Sequence, residues 1–195
     1  MAGKDAGITR MVLVLTLTCA VMGGALSVVY NQTKAEIENQ ERLYKLRSIK
    51  AVLPEYDNQP DKDAVKVEDV EFYPGKKQGQ LKGWAFEWSS SEGYGGQIKI
   101  LVGIDTQGNI TGVEILPGHA ETPGLGTRIQ EPEFRNQFKN RNLENTNWAV
   151  SKDGGDIEAI TGATISPRAV THAIKDSLEF FNEHRAEISS GGMVE

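Results

Sequence analysis

One long apolar stretch near the start of the chain is followed by alternating apolar and polar positions. Residues 11–30 read MVLVLTLTCAVMGGALSVVY and carry no charge. As an α-helix this stretch would span about 30 Å, the thickness of the hydrocarbon core of a bilayer. Lys4 and Arg10 precede it and only Asp5 opposes them. The positive-inside rule therefore predicts that residues 1–10 are cytoplasmic, that residues 11–30 form a single transmembrane helix, and that the rest lies outside the cytoplasm.

A cleaved signal peptide is the alternative interpretation of this stretch. The apolar core of a signal peptide is shorter, roughly 7–15 residues, and ends in a small-x-small site. Gly23, Gly24, Ala25 and Ser27 could imitate such a site. The full length of the stretch favours a retained anchor in the membrane lipid.

A second helical pattern follows the apolar stretch directly. From Thr33 to Leu53, apolar residues recur at mostly helical intervals with charged residues between them, and Pro54 ends the pattern. Asn58 to Asp63 is a polar linker. Residues 31–60 are therefore assigned to a stalk or packing helix, which can continue the membrane helix outward, and a linker.

Short alternating runs rich in Val, Ile and aromatic residues predict an antiparallel sheet in the region after the linker. The predicted strands are Val67–Tyr73, Leu81–Trp88, Gln97–Asp105 and Ile110–Leu116. In the third strand, four apolar residues fall on one face: Ile98, Ile100, Val102 and Ile104. This alternation predicts that one face of the sheet is packed and the other is polar.

The C-terminal part adds helices to this sheet. Pro132 to Phe138 is predicted as a short helix and Asn147–Val150 as one more strand. Ser166 is a good N-cap and Pro167 suits a first helical turn, so a long helix is predicted from there to about Ile188. The predicted fold class is therefore α+β, with an antiparallel sheet flanked by helices in residues 61–195.

Composition narrows the chemistry available to this domain. The formal net charge of −6 argues against nucleic acid as a partner, because phosphate binding needs clustered Lys and Arg. A single cysteine, Cys19, excludes an intrachain disulfide, a thiolate zinc finger and a Cys-ligated iron–sulfur cluster. Because His119, His172 and His184 have no metal-ligand spacing, no metal site is expected. The motifs of serine hydrolases, P-loops and dinucleotide-binding turns are absent, so no catalytic residue is assigned and redox chemistry would need a bound cofactor.

Two loops carry the remaining signals. Residues 119–126 read HAETPGLG, and the glycines and proline of this loop let backbone approach a ligand closely, although an irregular solvent loop has the same composition. Residues 156–166 read DIEAITGATIS and lead into the final helix, where free amide groups and the helix dipole favour an anion such as phosphate. An ordinary capped helix start is the alternative for the second loop.

The second loop resembles the flavinylation motif of the FMN-binding domain family, D-x-x-x-x-T-G-A-T-x-S before a helix. The HAETPGLG loop resembles the second signature of that family, and GYGGQI at residues 93–98 adds to the match. With the single N-terminal span, the ordered set resembles the G-subunit family of Rnf electron-transport complexes. The C-subunit family of the sodium-translocating NADH:quinone reductase is a relative that is usually longer. A second acidic residue, Asp153, precedes the motif, so which acid a flavin transferase reads stays open.

The resemblance implies a covalent cofactor and a set of residues around it. Thr164 would carry FMN through a phosphoester bond made by a flavin transferase, since a threonine hydroxyl is a poor nucleophile unaided. Thr161, Gly162 and Ala163 would cradle the phosphate and the ribityl chain. The residues implied to lie near the flavin ring are Glu121, Thr122, Gly124, Leu125 and Gly126.

The resemblance also implies a function. The chain would be an electron-relay subunit, without a nucleotide substrate site, of a membrane complex that couples electron flow from ferredoxin to NAD with ion export. Its partners would be the other subunits of the Rnf complex, the flavin transferase and membrane lipid. Two alternatives remain at this point: an anchored FMN domain of another extracytoplasmic reductase, and a non-redox assembly subunit in which TGAT is an ordinary helix cap.

Overall fold

A computed structural model describes residues 2–190 of the chain and divides it into two compact units, with the boundary between Tyr44 and Lys45. The first helix, α1, runs from Ala2 to Val52, so the predicted apolar and stalk helices are one continuous element. Among the described residues, one helix, Gly7–Val52, is long and apolar enough to cross a membrane. The large apolar side chains of the 11–30 stretch are exposed rather than packed against protein, as a lipid-facing helix requires.

The second unit contains a five-stranded antiparallel sheet in which each strand pairs with the next along the chain. The strands are β1 (Val65–Val67), β2 (Val70–Lys77), β3 (Gln80–Gly93), β4 (Gly96–Asp105) and β5 (Ile110–Ile115). The predicted strand Val67–Tyr73 is therefore two strands. Glu68 takes a positive φ of 51° in the tight turn that separates them, a conformation that is uncommon for a residue other than glycine and that the sequence pattern does not indicate.

Helical segments follow the sheet. The α-helices are α2 (Pro132–Arg135), α3 (Ile165–Glu183) and α4 (Arg185–Ser189), and the 3₁₀ segments are Gly126–Gln130, Asn136–Phe138 and Ser151–Asp153. The predicted long C-terminal helix is thus divided at His184. The predicted strand Asn147–Val150 is wrong, because within it only Val150 forms a bridge, an isolated one to Ile157.

The main core lies between α3 and one face of the sheet. The four alternating residues of β4 predicted to face inward are fully buried there, and they pack with Val170, Ile174, Leu178 and Phe181 of α3. The α+β class and the packed sheet face are therefore confirmed.

The opposite face of the sheet is not simply polar, as predicted, because the last turns of α1 cover part of it. Ile49, Val52 and Leu53 are buried against a second apolar group: Tyr73, Ala85, Leu101 and Leu116. This packing brings residues 45–60, assigned above to the stalk and linker, into the second unit. Burial of these three side chains removes apolar surface from water and so stabilises the junction between the end of α1 and the sheet.

Two facing glycines make room for the end of α1. Gly103 of β4 pairs with Gly112 of β5, and a Cβ at Gly103 would overlap the carbonyl oxygen of Val52. The Thr111 hydroxyl donates a hydrogen bond to that same carbonyl, which satisfies one of the acceptors left free at a helix C-terminus. The glycine pair and Thr111 therefore form a seat for the last turn of α1.

Candidate functional site

A cavity of about 320 Å³ lies where the two loops singled out in the sequence meet the β3–β4 hairpin. Its lining residues are Tyr94, Glu121, Thr122, Leu125, Gly126, Gly162, Ala163, Thr164, Ile165 and Ser166. The fold thus brings the HAETPGLG loop and the TGAT segment to one site at the start of α3. We call this the α3 cavity.

Seven of the nine candidate binding residues line the α3 cavity, and two do not. Thr161 is exposed and lines a different, polar cavity of about 380 Å³, together with Glu158. Gly124 has a positive φ of 75° in a turn, where its amide donates to Oγ1 of Thr127 at 3.0 Å. The positive φ that this turn requires explains why glycine occupies the position.

Three cavity residues were not assigned as site residues from the sequence: Tyr94, Ile165 and Ser166. Tyr94 is 69% exposed, Ile165 46% and Leu125 43%, and among the described residues of the second unit these are the exposed large apolar side chains. Apolar exposure confined to one cavity rim is typical of a binding site. Tyr94 lies in the GYGG hairpin turn. An aromatic residue in a glycine-rich turn is the sequence feature that could have identified it as a site residue.

Thr164 occupies the N-cap position of α3, so the prediction that Ser166 is the N-cap is wrong. Its backbone is helical (φ −88°, ψ −27°) and its side chain makes no capping hydrogen bond. A capping hydroxyl normally accepts from the second or third helical amide, and the third helical residue is Pro167, which has none. The Thr164 hydroxyl is therefore not committed to the helix. It accepts a hydrogen bond from Nζ of Lys152 at 2.9 Å.

The start of α3 offers several groups to an anion. No oxygen of the described residues accepts a hydrogen bond from the backbone amides of Ile165 and Ser166. These amides lie at the positive end of a 19-residue helix, and the Lys152 ammonium donates to the hydroxyl of Thr164, the residue that precedes them. This combination of amides, cation and hydroxyl can hold a phosphate group.

A bidentate ion pair fixes the segment that carries Lys152. Nε and Nη2 of Arg168 donate to the two carboxylate oxygens of Asp153 at 2.7 and 2.9 Å. Hydrogen bonds from Arg168 hold the pKa of Asp153 below its usual range, so the pair is intact at neutral pH. Asp153 thereby links the 3₁₀ turn Ser151–Asp153 to the first turn of α3.

The other acids before the TGAT segment have different surroundings. The Asp156 carboxylate accepts from the backbone amide of Asn147 at 2.7 Å and therefore supports the local loop. Glu158 is exposed, and its backbone groups are held by the side chain of Gln137. Asp153 and Asp156 are used within the fold, whereas the Glu158 carboxylate makes no hydrogen bond or ion pair with another described residue.

Glu121 connects the three elements around the α3 cavity. Its side chain is only 5% exposed. Oε1 accepts from the amide of Gly95 in the β3–β4 hairpin at 3.0 Å, and Oε2 accepts from Oγ of Ser166 in α3 at 2.5 Å. A Cβ at Gly126 would overlap Oε2, so the carboxylate needs a glycine at that position.

Comparison with protein families identifies the region that contains this site. The FMN-binding domain model matches residues 93–179, a range that includes every residue lining the α3 cavity.

Among the described residues, no group of three or more His, Cys, Asp or Glu side chains could hold a metal ion.

Relatives match the chain over nearly its whole length. The G subunit of the ion-translocating oxidoreductase complex of Stutzerimonas stutzeri is 38% identical over 185 residues, which cover 89% of this chain and 80% of the relative. The corresponding G subunits of Aliivibrio fischeri and Shewanella oneidensis are each 36% identical, with 91% of this chain and 92% and 91% of the relatives covered.

Two solved structures share the fold. The C subunit of the Na⁺-translocating NADH-quinone reductase from Parabacteroides distasonis superposes with a TM-score of 0.57 at 21% identity, covering 76% of this chain and 94% of that one. NqrC of Shewanella oneidensis gives a TM-score of 0.51 at 24% identity, covering 71% and 74%. The likeness supports the α+β architecture described above.

Proposed function

The chain belongs to the G-subunit family of ion-translocating oxidoreductase complexes, and on that premise we propose that it transfers electrons by means of FMN carried on Thr164. A flavin supplies one-electron and two-electron transfer, which no side chain of this domain provides. The observation that carries the proposal is that Thr164 lines the α3 cavity and that its hydroxyl is not used as a helix cap.

The residues present fit a flavin phosphate. The Thr164 hydroxyl accepts a hydrogen bond from the Lys152 ammonium, and the amides of the next two residues, Ile165 and Ser166, are free at the start of α3. A phosphate joined to Thr164 would keep one negative charge, which the helix N-terminus and Lys152 stabilise. The phosphate end of the cofactor would therefore lie at the start of α3.

The rest of the cavity suits a flat, largely apolar ring. Tyr94, Leu125 and Ile165 present exposed apolar surface around the mouth, and Gly162 leaves the backbone accessible on one side. Gly162 has a positive φ of 83°, a conformation that favours glycine. Covering the rim with a ring would remove from water the exposed apolar side chains of this unit.

Attachment requires a partner enzyme. In the proposed reaction a flavin transferase takes FMN from a flavin dinucleotide. The bond between Thr164 Oγ1 and the FMN phosphorus forms, the hydroxyl proton leaves, and the bond from that phosphorus to the nucleotide leaving group breaks. No electrons are exchanged in this step. The exposed Glu158, which lies within the 156–166 segment, is the acid we propose the transferase reads, because Asp153 and Asp156 are used within the fold.

We further propose a single-pass arrangement in the cell membrane. Residues 1–10 are cytoplasmic, 11–30 span the lipid, 31–44 form the stalk, and the second compact unit, which begins at Lys45, forms the FMN domain outside the cytoplasm. In an Rnf-type complex the flavin would relay electrons between other subunits on the path from ferredoxin to NAD. A tethered cofactor suits this task because it cannot diffuse away from the membrane.

The experiment is to measure the intact mass and the in-gel flavin fluorescence of the full chain produced with an active flavin transferase. Thr164→Val removes the ester oxygen, keeps the β-branched shape, and is expected to abolish covalent flavin. Thr161→Val is the comparison variant, since Thr161 is the other threonine of the TGAT segment and lies outside the α3 cavity; it is expected to weaken loading, because the segment is altered, without eliminating it. Covalent flavin on Thr164→Val, or none on the wild type, would refute the attachment.

A further inference from the structure

We infer that Glu121 sets the reduction potential of the flavin held in the α3 cavity by placing a buried negative charge beside it. The inference rests on the proposed function and goes beyond it, since attachment at Thr164 says nothing about potential. Glu121 is the one acidic side chain among the residues lining the cavity, and that lining contains no Lys, Arg or His.

The charge of Glu121 is not neutralised by a neighbouring cation. Among the described side chains, no Lys, Arg or His forms an ion pair with it. Its two hydrogen-bond donors, the Gly95 amide and the Ser166 hydroxyl, are both uncharged. They orient the carboxylate towards the junction of hairpin and helix without cancelling its charge.

Burial makes that charge effective over the dimensions of the cavity. With the side chain 5% exposed, water screens it far less than it screens the surface acids. Two electrons and one proton added to an oxidised flavin ring leave it with one net negative charge. Because like charges repel, a fixed carboxylate nearby disfavours the reduced ring and lowers the reduction potential.

A purely structural role for Glu121 makes a different prediction. If the carboxylate only joined the hairpin to α3, its removal would reduce stability or flavin loading and leave the potential of the loaded flavin unchanged. The effect of the charge can be separated from that of the hydrogen bonds. Glu121→Gln removes the charge but keeps the shape and an acceptor oxygen, whereas Ser166→Ala removes one hydrogen bond and keeps the charge.

The test is a spectroelectrochemical titration of the flavin-loaded full chain, in which the electrode supplies the electrons. Glu121→Gln is expected to raise the potential, with about a tenfold higher ratio of reduced to oxidised flavin at a fixed applied potential. Glu133→Gln is the matched control, because it removes the same charge from an exposed position in α2 and is expected to leave the ratio unchanged.

Ser166→Ala keeps the inference testable even where Glu121→Gln does not load flavin. It is expected to hold the wild-type potential or to lower it, since the carboxylate keeps its charge and loses a stabilising dipole. A rise with Ser166→Ala, or a wild-type potential in loaded Glu121→Gln, would overturn the role of Glu121 while leaving the flavin function intact. A wild-type chain without flavin would instead refute the proposed function.

Discussion

Nζ of Lys152 donates to Oγ1 of Thr164 across 2.9 Å, which places a cation directly on the proposed attachment oxygen. The contact joins a 3₁₀ turn to the N-cap of α3 across twelve positions of sequence. No motif of contiguous residues contains this pair, so it emerges only from the fold.

Lys152→Met is expected to slow covalent flavin incorporation about two- to fivefold, because an exposed charge contact contributes about 0.2–1 kcal/mol. The measurement is the fraction of flavinylated chain against time, by intact mass, with the transferase in fixed amount. Lys175→Met is the control, since Lys175 pairs with Glu179 on the same helix and does not line the cavity. Equal rates for both variants and the wild type would show that Lys152 has no part in loading.

Gly126→Ala is expected to disturb the site through Glu121. Its Cβ would overlap Oε2 of Glu121 and lie 3.0 Å from Oγ of Ser166, so the unfolding free energy should fall by about 1–3 kcal/mol. The absorbance spectrum of any loaded flavin should change as well. Thermal unfolding and flavin absorbance together measure the two effects.

Gly124→Ala is the comparison for that substitution. At Gly124 no atom lies within 4 Å of an added Cβ, and the positive φ alone should cost about 1 kcal/mol. Stability should therefore decrease while the flavin spectrum stays as in the wild type. A spectral change in this variant but not in Gly126→Ala would contradict the proposal that Gly126, rather than Gly124, lies at the flavin.

Thr111→Val is expected to lower the unfolding free energy by about 1 kcal/mol, since it leaves the Val52 carbonyl without its side-chain donor. Chemical denaturation of the full chain in detergent measures the change. Thr106→Val serves as the control, because Thr106 is exposed in the β4–β5 turn and only its backbone oxygen accepts a bond, from Arg185. If the two variants are equally stable, the hydroxyl does not help to seat α1.

The proposed topology predicts that protease added to spheroplasts degrades the FMN domain. The reason is the positive charge that precedes an uninterrupted apolar span. Immunoblotting with antibodies against the C-terminal domain and against a cytoplasmic protein provides the readout and its control. A soluble mature protein that begins near Ala25 would contradict the retained anchor.

The sequence pattern predicted those elements in which apolar residues recur at a regular spacing. The alternation in β4 located the packed face because every second side chain must be apolar there, and the apolar stretch at 11–30 located a segment of α1 whose large apolar side chains are exposed. The second apolar face was missed because Leu101 and Ala85 become buried only through contact with Ile49, which is distant in sequence.

The two loops of the site could be predicted from the sequence, but the contacts between them could not. The two signatures identified the loops that meet at the α3 cavity, and seven of the nine candidates line it. The roles of Lys152 and Ser166 were not accessible, because each is defined by a partner in another element. Serine is a residue type that often caps helices, yet the Ser166 hydroxyl donates to Glu121 instead. Capping preferences do not predict such a contact with a distant residue.

The packing of α1 on the sheet decides where a soluble fragment can be cut. A chain starting after Pro54 would leave out Ile49, Val52 and Leu53 and bare the apolar surface of Tyr73, Ala85, Leu101 and Leu116 to water. An exposed apolar surface of this kind promotes self-association. The resulting aggregation would be mistaken for intrinsic instability of the domain. Expression of the ectodomain for crystallisation or electrochemistry should therefore begin at or before Lys45, where the second compact unit begins.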